Sequence, residues 1–237
     1  MTTFSIQPVA VAHTPFRQKF AIPRQAGLVN LPGSIELLAP FNDKAAVAGL
    51  ESVSHIWLTF VFDRHLGKIP SLQVRPPRLG GNRKIGVFAS RSSFRPNYLG
   101  QSVVCLKRII VDNGVCLHVE GIDLLDGTPI VDIKPYLPYA DAVKNANNRI
   151  AGQKPDEHVL DVIWPDQAIA EIEKARPDDY TRVQRWISQL IGLDPRPAYK
   201  AGEAQGSYAM ALYDLDIHWQ VRADKARIEQ IIQQNGI

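Results

Sequence analysis

Two arginines and several hydroxyl side chains share one short loop in the middle of this 237-residue chain. The loop is Arg91-Ser-Ser-Phe-Arg-Pro-Asn97, and it lies between the apolar run Ile85–Ala89 and the β-branched run Ser102–Val111. Both runs predict strands, the first of them short and buried. A loop that presents guanidinium, hydroxyl and amide groups between two strands can bind an anion or a nucleoside. A solvated connection between the strands is the alternative.

Positive charge is concentrated around this loop. The chain has 27 Lys or Arg against 24 Asp or Glu, yet the segment from Arg64 to Arg108 contains ten bases and no acid. Such a block predicts a surface that faces a polyanion, and the alternative is that these bases pair with acids from other segments. The ten are Arg64, Lys68, Arg75, Arg78, Arg83, Lys84, Arg91, Arg95, Lys107 and Arg108.

Several common enzyme motifs are absent from the sequence. Gly80-Gly81 stands alone, so there is no glycine-rich dinucleotide or phosphate loop, and no nucleophile elbow occurs. The six His are scattered and give no zinc spacing. No apolar run approaches the ~20 residues of a membrane span, and no secretory signal is visible. We therefore expect a cytoplasmic protein that binds no metal or membrane and keeps Cys105 and Cys116 reduced.

The N-terminal half predicts many short strands and few helices, which favours an antiparallel barrel. Asp112-Asn-Gly114 is a strong hairpin signal. With a two-residue loop there, Cys105 would face Ile122 and Cys116 would face Val111, which predicts no disulfide between them. The predicted strands are Phe4–Ala12, Ser34–Ala39, His55–Phe62, Val103–Val111, Val115–Ile122 and Pro129–Ile133, with a helical turn at Asp43–Gly49 and an extended basic loop at Leu66–Asn82.

The C-terminal part follows a polar, Asn-rich stretch at Asp141–Pro155 and mixes strands with helices. Its tail, Arg227–Gln233, fits either a helix or a strand, and we favour the strand. The predicted fold is mainly β, with an antiparallel β-barrel domain at residues 1–140 and a small α+β domain at residues 141–237. The other predicted C-terminal elements are a strand at Val159–Trp164, helices at Pro165–Ala175 and Asp178–Ile191, and one or two strands within Tyr208–Val221.

Five motifs resemble those of the TsaA-like (TrmO) tRNA methyltransferases. They are RSSFRPNYLGQS, GIDLLDGTPIVDIKPYLPYAD, FAIPRQAGL, VRPPRLGGN and DPRPAYK, and together they extend along nearly the whole chain. The resemblance implies a β-barrel enzyme that uses S-adenosylmethionine. The implied reaction is methylation of the exocyclic N6 of N6-threonylcarbamoyladenosine at position 37, beside the tRNA anticodon. It also implies a homodimer.

The resemblance also implies which residues contact the cofactor. An arginine fork such as that of Arg91 suits the carboxylate of S-adenosylmethionine, and Asp123 or Asp126 suits its ribose hydroxyls. Asp126-Gly127 could instead be a plain turn signal, and Tyr98 stands where the family usually has Pro. The implied contacts are Pro23, Arg24, Gln25, Asp63, Arg64, Arg91, Gln101, Asp123, Leu124, Leu125 and Asp126.

The catalytic base and the RNA contacts are less defined by the sequence. Asp126, Asp132 and Tyr139 are candidates for the base, and solvent is the alternative. Tyr199 could stack on an unpaired base of the anticodon arm or pack against neighbouring prolines. The rival functions are a non-catalytic RNA- or nucleoside-binding β-barrel and an enzyme that acts on a small nucleotide. The predicted RNA contacts are Arg75, Arg78, Arg83, Lys84, Arg95, Arg196, Tyr199 and Lys200.

Overall fold

Six strands of the N-terminal half close into an antiparallel barrel, which confirms the predicted fold, and their order around it is Ala10–His13, Pro32–Leu37, Cys116–Glu120, Leu99–Ile110, His55–Val61 and Thr128–Pro135. The computed structural model describes residues 2–76, 83–151, 159–197, 200 and 205–234. Two further strands, β4 and β5, pair with each other outside the barrel. The elements are β1 Ala10–His13, β2 Pro32–Leu37, β3 His55–Val61, β4 Gln73–Val74, β5 Ile85–Gly86, β6 Leu99–Ile110, β7 Cys116–Glu120, β8 Thr128–Pro135 and α1 Pro138–Asp141.

The barrel interior is built by strict alternation along the strands. On β3, Ile56, Leu58 and Phe60 are buried in the barrel core, whereas Trp57 and Thr59 point outward. This strand pairs with β6 on one side and β8 on the other, so the prediction of a central strand at His55–Phe62 is confirmed. The end of β3 at residue 61 therefore fixes the position of the polar residues that follow it.

The hairpin between β6 and β7 has a different register from the predicted one. Ile110 pairs with Cys116, so the loop between the paired residues contains five residues and not two. A bulge between Leu106 and Arg108 then shifts the register again, and Cys105 lies opposite Glu120. The predicted partners of both cysteines were therefore wrong, although both are free thiols as expected.

Two predicted strands of the N-terminal half are shorter than expected. The strand predicted at Phe4–Ala12 begins only at Ala10, where β2 and β8 provide partners on both sides. The strand predicted at Ile85–Ala89 covers Ile85–Gly86 and continues as a 3₁₀ turn at Val87–Ala89. One residue beyond each strand end still forms backbone hydrogen bonds, Val9 with Ile130 and Leu38, and Val87 with Leu72, and regular pairing stops there.

The C-terminal part forms a four-stranded sheet in the order β10-β11-β12-β9, with β9 parallel to β12. Two helices pack against it, and Ile172, Ile187 and Trp219 lie in their shared core. The tail is a strand, as favoured by its sequence. No helix in the described ranges is long and apolar enough to cross a membrane. The elements are β9 Asp161–Ile163, α2 Asp166–Ala175, α3 Tyr180–Gly192, β10 Gln205–Leu212, β11 Leu215–Arg222 and β12 Lys225–Gln233.

The loop between β1 and β2, residues 14–31, connects the barrel to the C-terminal sheet. Its residues Phe16, Val29 and Leu31 are buried in the core of the C-terminal part. The backbone of Phe16 also forms a bridge with Leu212 of β10. A segment that belongs to the N-terminal half in sequence therefore completes the core of the C-terminal part, and the two parts are packed together through it.

Candidate functional site

A cavity of about 190 Å³ opens at the end of the barrel where β3 stops. Four segments line it: the end of β3 with the residues that follow it, the corner that follows β7, the loop at residues 14–31, and the Arg91 loop through Ser93. We call this cavity the hollow. Because most small-molecule sites have volumes of about 300–1,000 Å³, a larger ligand would extend beyond it. Its lining residues are Lys19, Ile22, Phe60, Val61, Phe62, Asp63, Arg64, His65, Ser93, Asp123, Leu124, Leu125 and Thr128.

The Arg91 loop reaches the loop at residues 14–31 through one side-chain contact. Arg91 Nη1 donates a hydrogen bond to Gln25 Oε1, although 66 residues separate the two in sequence. Gln25 Nε2 in turn donates to the carbonyl oxygen of Arg24. The charge of Arg91 also lowers the pKa of Asp123, as the smallest of the contributions at that carboxyl. Three predicted segments, Pro23–Gln25, the Arg91 loop and the corner of Asp123, are thus brought together.

Asp123 is the carboxyl at the centre of this arrangement. Burial raises the pKa of Asp123, and hydrogen bonds to the side chain partly oppose that rise. Ser102 Oγ donates to Asp123 Oδ1 at 2.6 Å, and the backbone of Ala26 provides a further hydrogen bond. A carboxyl held in this way can accept hydrogen bonds from hydroxyl groups of a ligand that enters the hollow.

The corner at Leu124–Gly127 is fixed by the start of the loop at residues 14–31. Thr14 N–H donates to Asp126 Oδ1 at 2.9 Å, and Thr14 Oγ1 donates to the carbonyl oxygen of Leu124 at 2.8 Å. Leu124 and Leu125 line the hollow, whereas Asp126 is outside its lining. The Asp126 carboxylate therefore helps to hold the backbone of the corner in place by accepting the hydrogen bond from Thr14 N–H.

His65 lines the hollow and was missed by sequence reasoning. It is 6% exposed, and its Nε2 lies 3.3 Å from Ser93 Oγ. The edge of its ring meets the ring of Phe94 at a centroid distance of 4.6 Å, and its Nδ1 has no hydrogen-bond partner among the described residues. Burial lowers the pKa of His65, the charges of Lys19 and Lys68 lower it further, and Asp63 opposes them. The only sequence signal was its place after the central strand.

The remaining predicted cofactor residues are divided between the hollow and its surroundings. Asp63 and Arg64 both line the hollow, and Arg64 Nε lies 3.4 Å from Asp63 Oδ2. Pro23 is buried, and Arg24 is exposed with its Nη2 donating to the carbonyl oxygen of Arg196 at 3.4 Å. Gln101 does not line the hollow, because it pairs with the outward-facing Thr59 on the barrel exterior.

The predicted RNA-binding cations of the N-terminal half are mostly on the surface. Arg75, Arg83 and Lys84 are exposed. Arg95 is partly buried, and its Nη1 donates to the carbonyl oxygen of Ser90 at 3.0 Å. Among the described bases between residues 64 and 108, ion pairs occur only at Arg64 and Lys107, so the idea that acids neutralise this block is wrong for the rest. Arg78 lies outside the described residues.

Arg196 of the C-terminal loop is buried, although we expected it on the surface. Arg196 is 3% exposed, and its Nε and Nη2 donate to the two carboxylate oxygens of Asp194 at 2.7 and 2.8 Å. Its guanidinium is therefore enclosed within the loop and is not offered to a phosphate in this arrangement. Lys200 is partly buried, and Tyr199 lies outside the described residues.

No group of three or more His, Cys, Asp or Glu in the parts of the chain that the structure describes could hold a metal ion. The polar groups around the hollow are instead two carboxyls, an imidazole, two hydroxyls and two cationic side chains. This set suits a polar organic ligand with hydroxyl groups and a negative charge.

Comparison with known families accounts for both parts of the chain. The family model described as the tRNA-methyltransferase O N-terminal domain matches residues 11–142, and the TrmO C-terminal domain matches residues 157–234. The chain belongs to the tRNA-methyltransferase O (TrmO) family. The two matches therefore cover the barrel and the C-terminal sheet of this TrmO chain.

Individual relatives and solved structures agree with membership of the TrmO family. The chain is 41% identical over 227 residues to the tRNA (adenine(37)-N6)-methyltransferase of Escherichia coli K12, covering 93% of this chain and 94% of the relative. It is 46% identical over 228 residues to RcsF of Pseudomonas aeruginosa, named as a candidate S-adenosylmethionine-dependent methyltransferase, covering 95% and 96%. The crystal structure of TrmO from P. aeruginosa superposes with a TM-score of 0.81 at 39% identity, covering 98% of both chains.

Proposed function

We propose that this TrmO-family chain methylates N6 of adenosine 37 in tRNA with S-adenosylmethionine as the methyl donor. We further propose that the nucleoside it accepts is N6-threonylcarbamoyladenosine. The observation that carries the proposal is the meeting of Gln25, Arg91 and Asp123 beside one hollow at the end of the barrel. The names of the E. coli and P. aeruginosa relatives support the same reaction and cofactor.

The residues around the hollow fit the chemical groups of S-adenosylmethionine. Asp123 can accept hydrogen bonds from the ribose hydroxyls, and Arg91 can bind the carboxylate of the amino-acid end. Leu124 and Leu125 provide an apolar wall for the flat adenine ring. The unpartnered Nδ1 of His65 leaves one buried polar atom that a ligand atom would satisfy.

When bound, the cofactor supplies a methyl group on a positively charged sulfur, which is a good leaving group. The protein then has to align the acceptor nitrogen with that methyl group and keep water out. The buried end of β3 and the leucines of the corner provide walls that exclude water. Positioning by Asp123, Arg91 and the fixed corner is therefore the main contribution that we propose for this chain.

We propose that the proton released from the acceptor nitrogen passes to solvent. Asp126 is committed to the backbone of Thr14. Asp132 is exposed on the barrel exterior, where Lys134 Nζ lies 3.7 Å from its Oδ2. Tyr139 is exposed at the other end of β3 from the hollow, because the chain from Pro135 onward leaves the barrel beside Ile56. None of these three lines the hollow.

The anticodon arm is proposed to lie against the exposed cations outside the barrel. Arg75, Arg83 and Lys84 are the described members that carry most of this proposal, because each is exposed and forms no ion pair with any residue of the described ranges. Contacts of this kind neutralise phosphates and release counterions, so the affinity for tRNA should fall steeply with salt. We also propose a cytoplasmic homodimer, and the support for it is the family resemblance.

Mass analysis of nucleosides tests the reaction. Purified protein is incubated with S-adenosylmethionine and tRNA from cells that make, or lack, the threonylcarbamoyl modification. The expected product is the threonylcarbamoyl nucleoside heavier by one methyl group, formed only with the modified tRNA. A methylated but otherwise unmodified adenosine would contradict the proposed substrate. Binding of tRNA without any methylation would favour a non-catalytic RNA-binding barrel.

A further inference from the structure

We propose that an exposed apolar surface beside the hollow binds unpaired bases of a single-stranded RNA loop. The inference rests on the proposed tRNA substrate and names the part of the protein that would hold it. The surface belongs to residues 66–76 and 83–95, which we call the flap. Ile69, Leu72 and Phe88 of the flap are 90%, 86% and 78% exposed. Large apolar side chains grouped in this way on a surface usually mark a binding site.

The flap has a fixed backbone that carries these side chains. Its two strands pair through Gln73 with Gly86 and Val74 with Ile85. Val87 N–H donates to the carbonyl oxygen of Leu72 at 3.0 Å, and Ser71 N–H donates to that of Phe94 at 3.1 Å. The exposed apolar residues are therefore next to hydrogen bonds that join the two halves of the flap.

Phe88 is the best placed of these residues to stack on a base. It stands in the middle of the 3₁₀ turn Val87–Ala89, where Val87 is buried and anchors the turn. Ser90 N–H and Ser90 Oγ both donate to the carbonyl oxygen of Val87, at 3.1 and 2.8 Å. A ring that projects from an anchored turn offers a flat face to a base of any identity.

The charge of the flap identifies a nucleic acid as the partner. The flap contains six bases and no acid, and within the described part of the chain none of these bases lies within ion-pair distance of a carboxylate. Exposed aromatic and apolar side chains interleaved with unpaired cations are the usual composition of a surface that binds single-stranded nucleic acid. The six bases are Lys68, Arg75, Arg83, Lys84, Arg91 and Arg95.

A second copy of this chain fits the flap less well than RNA does. In a twofold symmetric contact the same patch meets itself. Six cations of one copy would then face six of the other with no acid in the flap to separate them, and such like-charge contact opposes association. The phosphates of an RNA strand would instead neutralise the flap cations other than Arg91, which we place at the cofactor, while its bases cover Phe88 and Leu72.

The flap is joined directly to the hollow. Ser93 lines the hollow and contacts His65, and the ring of Phe94 packs edge-on against the same histidine. A strand of RNA that lies on the flap would therefore place a neighbouring nucleotide at the mouth of the hollow. This arrangement explains how a base that has left its stack could be held while its neighbour reacts.

Fluorescence polarisation with the full-length protein tests the inference. The labelled probes are an anticodon stem-loop RNA and a blunt RNA duplex of the same length. Phe88→Ala should weaken stem-loop binding by about 5- to 100-fold, because base stacking on an aromatic ring is lost, and leave duplex binding unchanged. Phe88→Tyr should retain binding within about twofold, since the ring remains. Phe4→Ala removes an exposed aromatic outside the flap and should change neither.

Three results for Phe88→Ala would overturn the inference. The first is an unchanged affinity for the stem-loop, and the second is an equal loss of affinity for the duplex. The third is a loss of affinity that sedimentation shows to come from dissociation of two copies of the chain. Calorimetry with S-adenosylmethionine on the same variants reports on folding and on the cofactor site. The polarisation assay needs no cofactor. A wild-type protein that prefers the stem-loop but neither binds cofactor nor methylates tRNA would therefore refute the proposed function and leave the flap inference standing.

Discussion

Arg91 and Gln25 are joined by a side-chain hydrogen bond that brings together the loop after β5 and the loop after β1. The carboxyl of Asp123 accepts a hydrogen bond from the backbone of Ala26, and burial raises its pKa while the charge of Arg91 makes a small opposing contribution. The cofactor site that we propose is thus a meeting of three separate chain segments. The contribution of each segment to the proposed cofactor site can be tested by replacing one of its side chains.

Arg91→Ala should lower the affinity for S-adenosylmethionine by about 10- to 100-fold, because a charge-assisted hydrogen bond contributes about 1.5–3 kcal/mol. Arg91→Lys should recover only part of that loss, since lysine keeps the charge without the planar fork. Arg108→Ala, an exposed cation on β6, is the matched control and should bind the cofactor as wild type does. Calorimetry measures all three, and equal affinity in Arg91→Ala would remove Arg91 from the site.

Asp123→Asn should keep or raise the free energy of unfolding at neutral pH while it weakens cofactor binding. Since burial raises the pKa of Asp123 above its ordinary value of 3.8, the folded state holds this proton more tightly than the unfolded state. The free energy of unfolding of the wild type therefore decreases as pH rises from 3.8 through the pKa of Asp123 in the folded state. The Asn variant should show no such decrease. Urea unfolding across this range compares the two proteins. A variant that is less stable at every pH would contradict the expectation.

His65→Gln should remove a loss of stability that the wild type shows in mild acid. Because burial and the charges of Lys19 and Lys68 lower the pKa of His65, the unfolded state binds the proton more readily than the folded state. The free energy of unfolding of the wild type is therefore highest above pH 6.5, the ordinary pKa of histidine. It decreases as pH drops below that value toward the pKa of His65 in the folded state. Urea midpoints over this interval measure the effect. His55→Gln, an exposed histidine, should behave as wild type, and identical curves for His65→Gln would contradict the shift.

Asp126→Ala should destabilise the fold by about 1–3 kcal/mol, because Thr14 N–H would lose its acceptor. Asp126→Asn should be close to wild type in both stability and cofactor affinity, since its Oδ1 can accept the same hydrogen bond. Thermal unfolding and calorimetry with S-adenosylmethionine distinguish the two roles of this residue. A stable Asn variant with lost cofactor affinity would show that Asp126 contacts the ligand, as the family resemblance implied.

Lys84→Gln should weaken tRNA binding by a similar factor for every tRNA tested. The logarithmic dependence of affinity on salt should become shallower by about one unit of slope, as expected for the loss of one phosphate contact. Lys44→Gln, an exposed cation near the start of β3, serves as the control with an unchanged slope. A change confined to one tRNA species would indicate base recognition by Lys84 instead.

Local patterns of the sequence were sufficient to predict the barrel and the C-terminal helices. The nearly unbroken apolar run at His55–Phe62 and the Asn-Gly hairpin signal each depend on a few neighbouring residues, although the loop at that signal is longer than predicted. The register of β6 and β7 was not accessible in this way, because a bulge near Lys107 depends on how two distant strands meet. The packing of Phe16 into the C-terminal core is likewise a long-range event.

The polar residues of the site also divide into those that the sequence predicted and those that depend on long-range packing. Arg91 and Asp123 were identified through a resemblance of motifs, whereas the charge pattern alone only predicted a cationic surface. Burial of His65 and Arg196 could not be foreseen, since histidine and arginine are usually exposed and nothing nearby in sequence marks their enclosure. The partner of Arg196, Asp194, is two residues away, but such a spacing is common in exposed loops as well.

The packing of residues 14–31 has a consequence for shortened proteins. A chain cut after Ala142 would keep every side chain that lines the hollow, yet it would turn Phe16, Val29 and Leu31 toward water. Gln25 would then lie in a loop that has lost its packing partners, and its hydrogen bond to Arg91 would be weakened. The C-terminal part therefore stabilises the hollow, although it contributes none of the described residues that line the hollow.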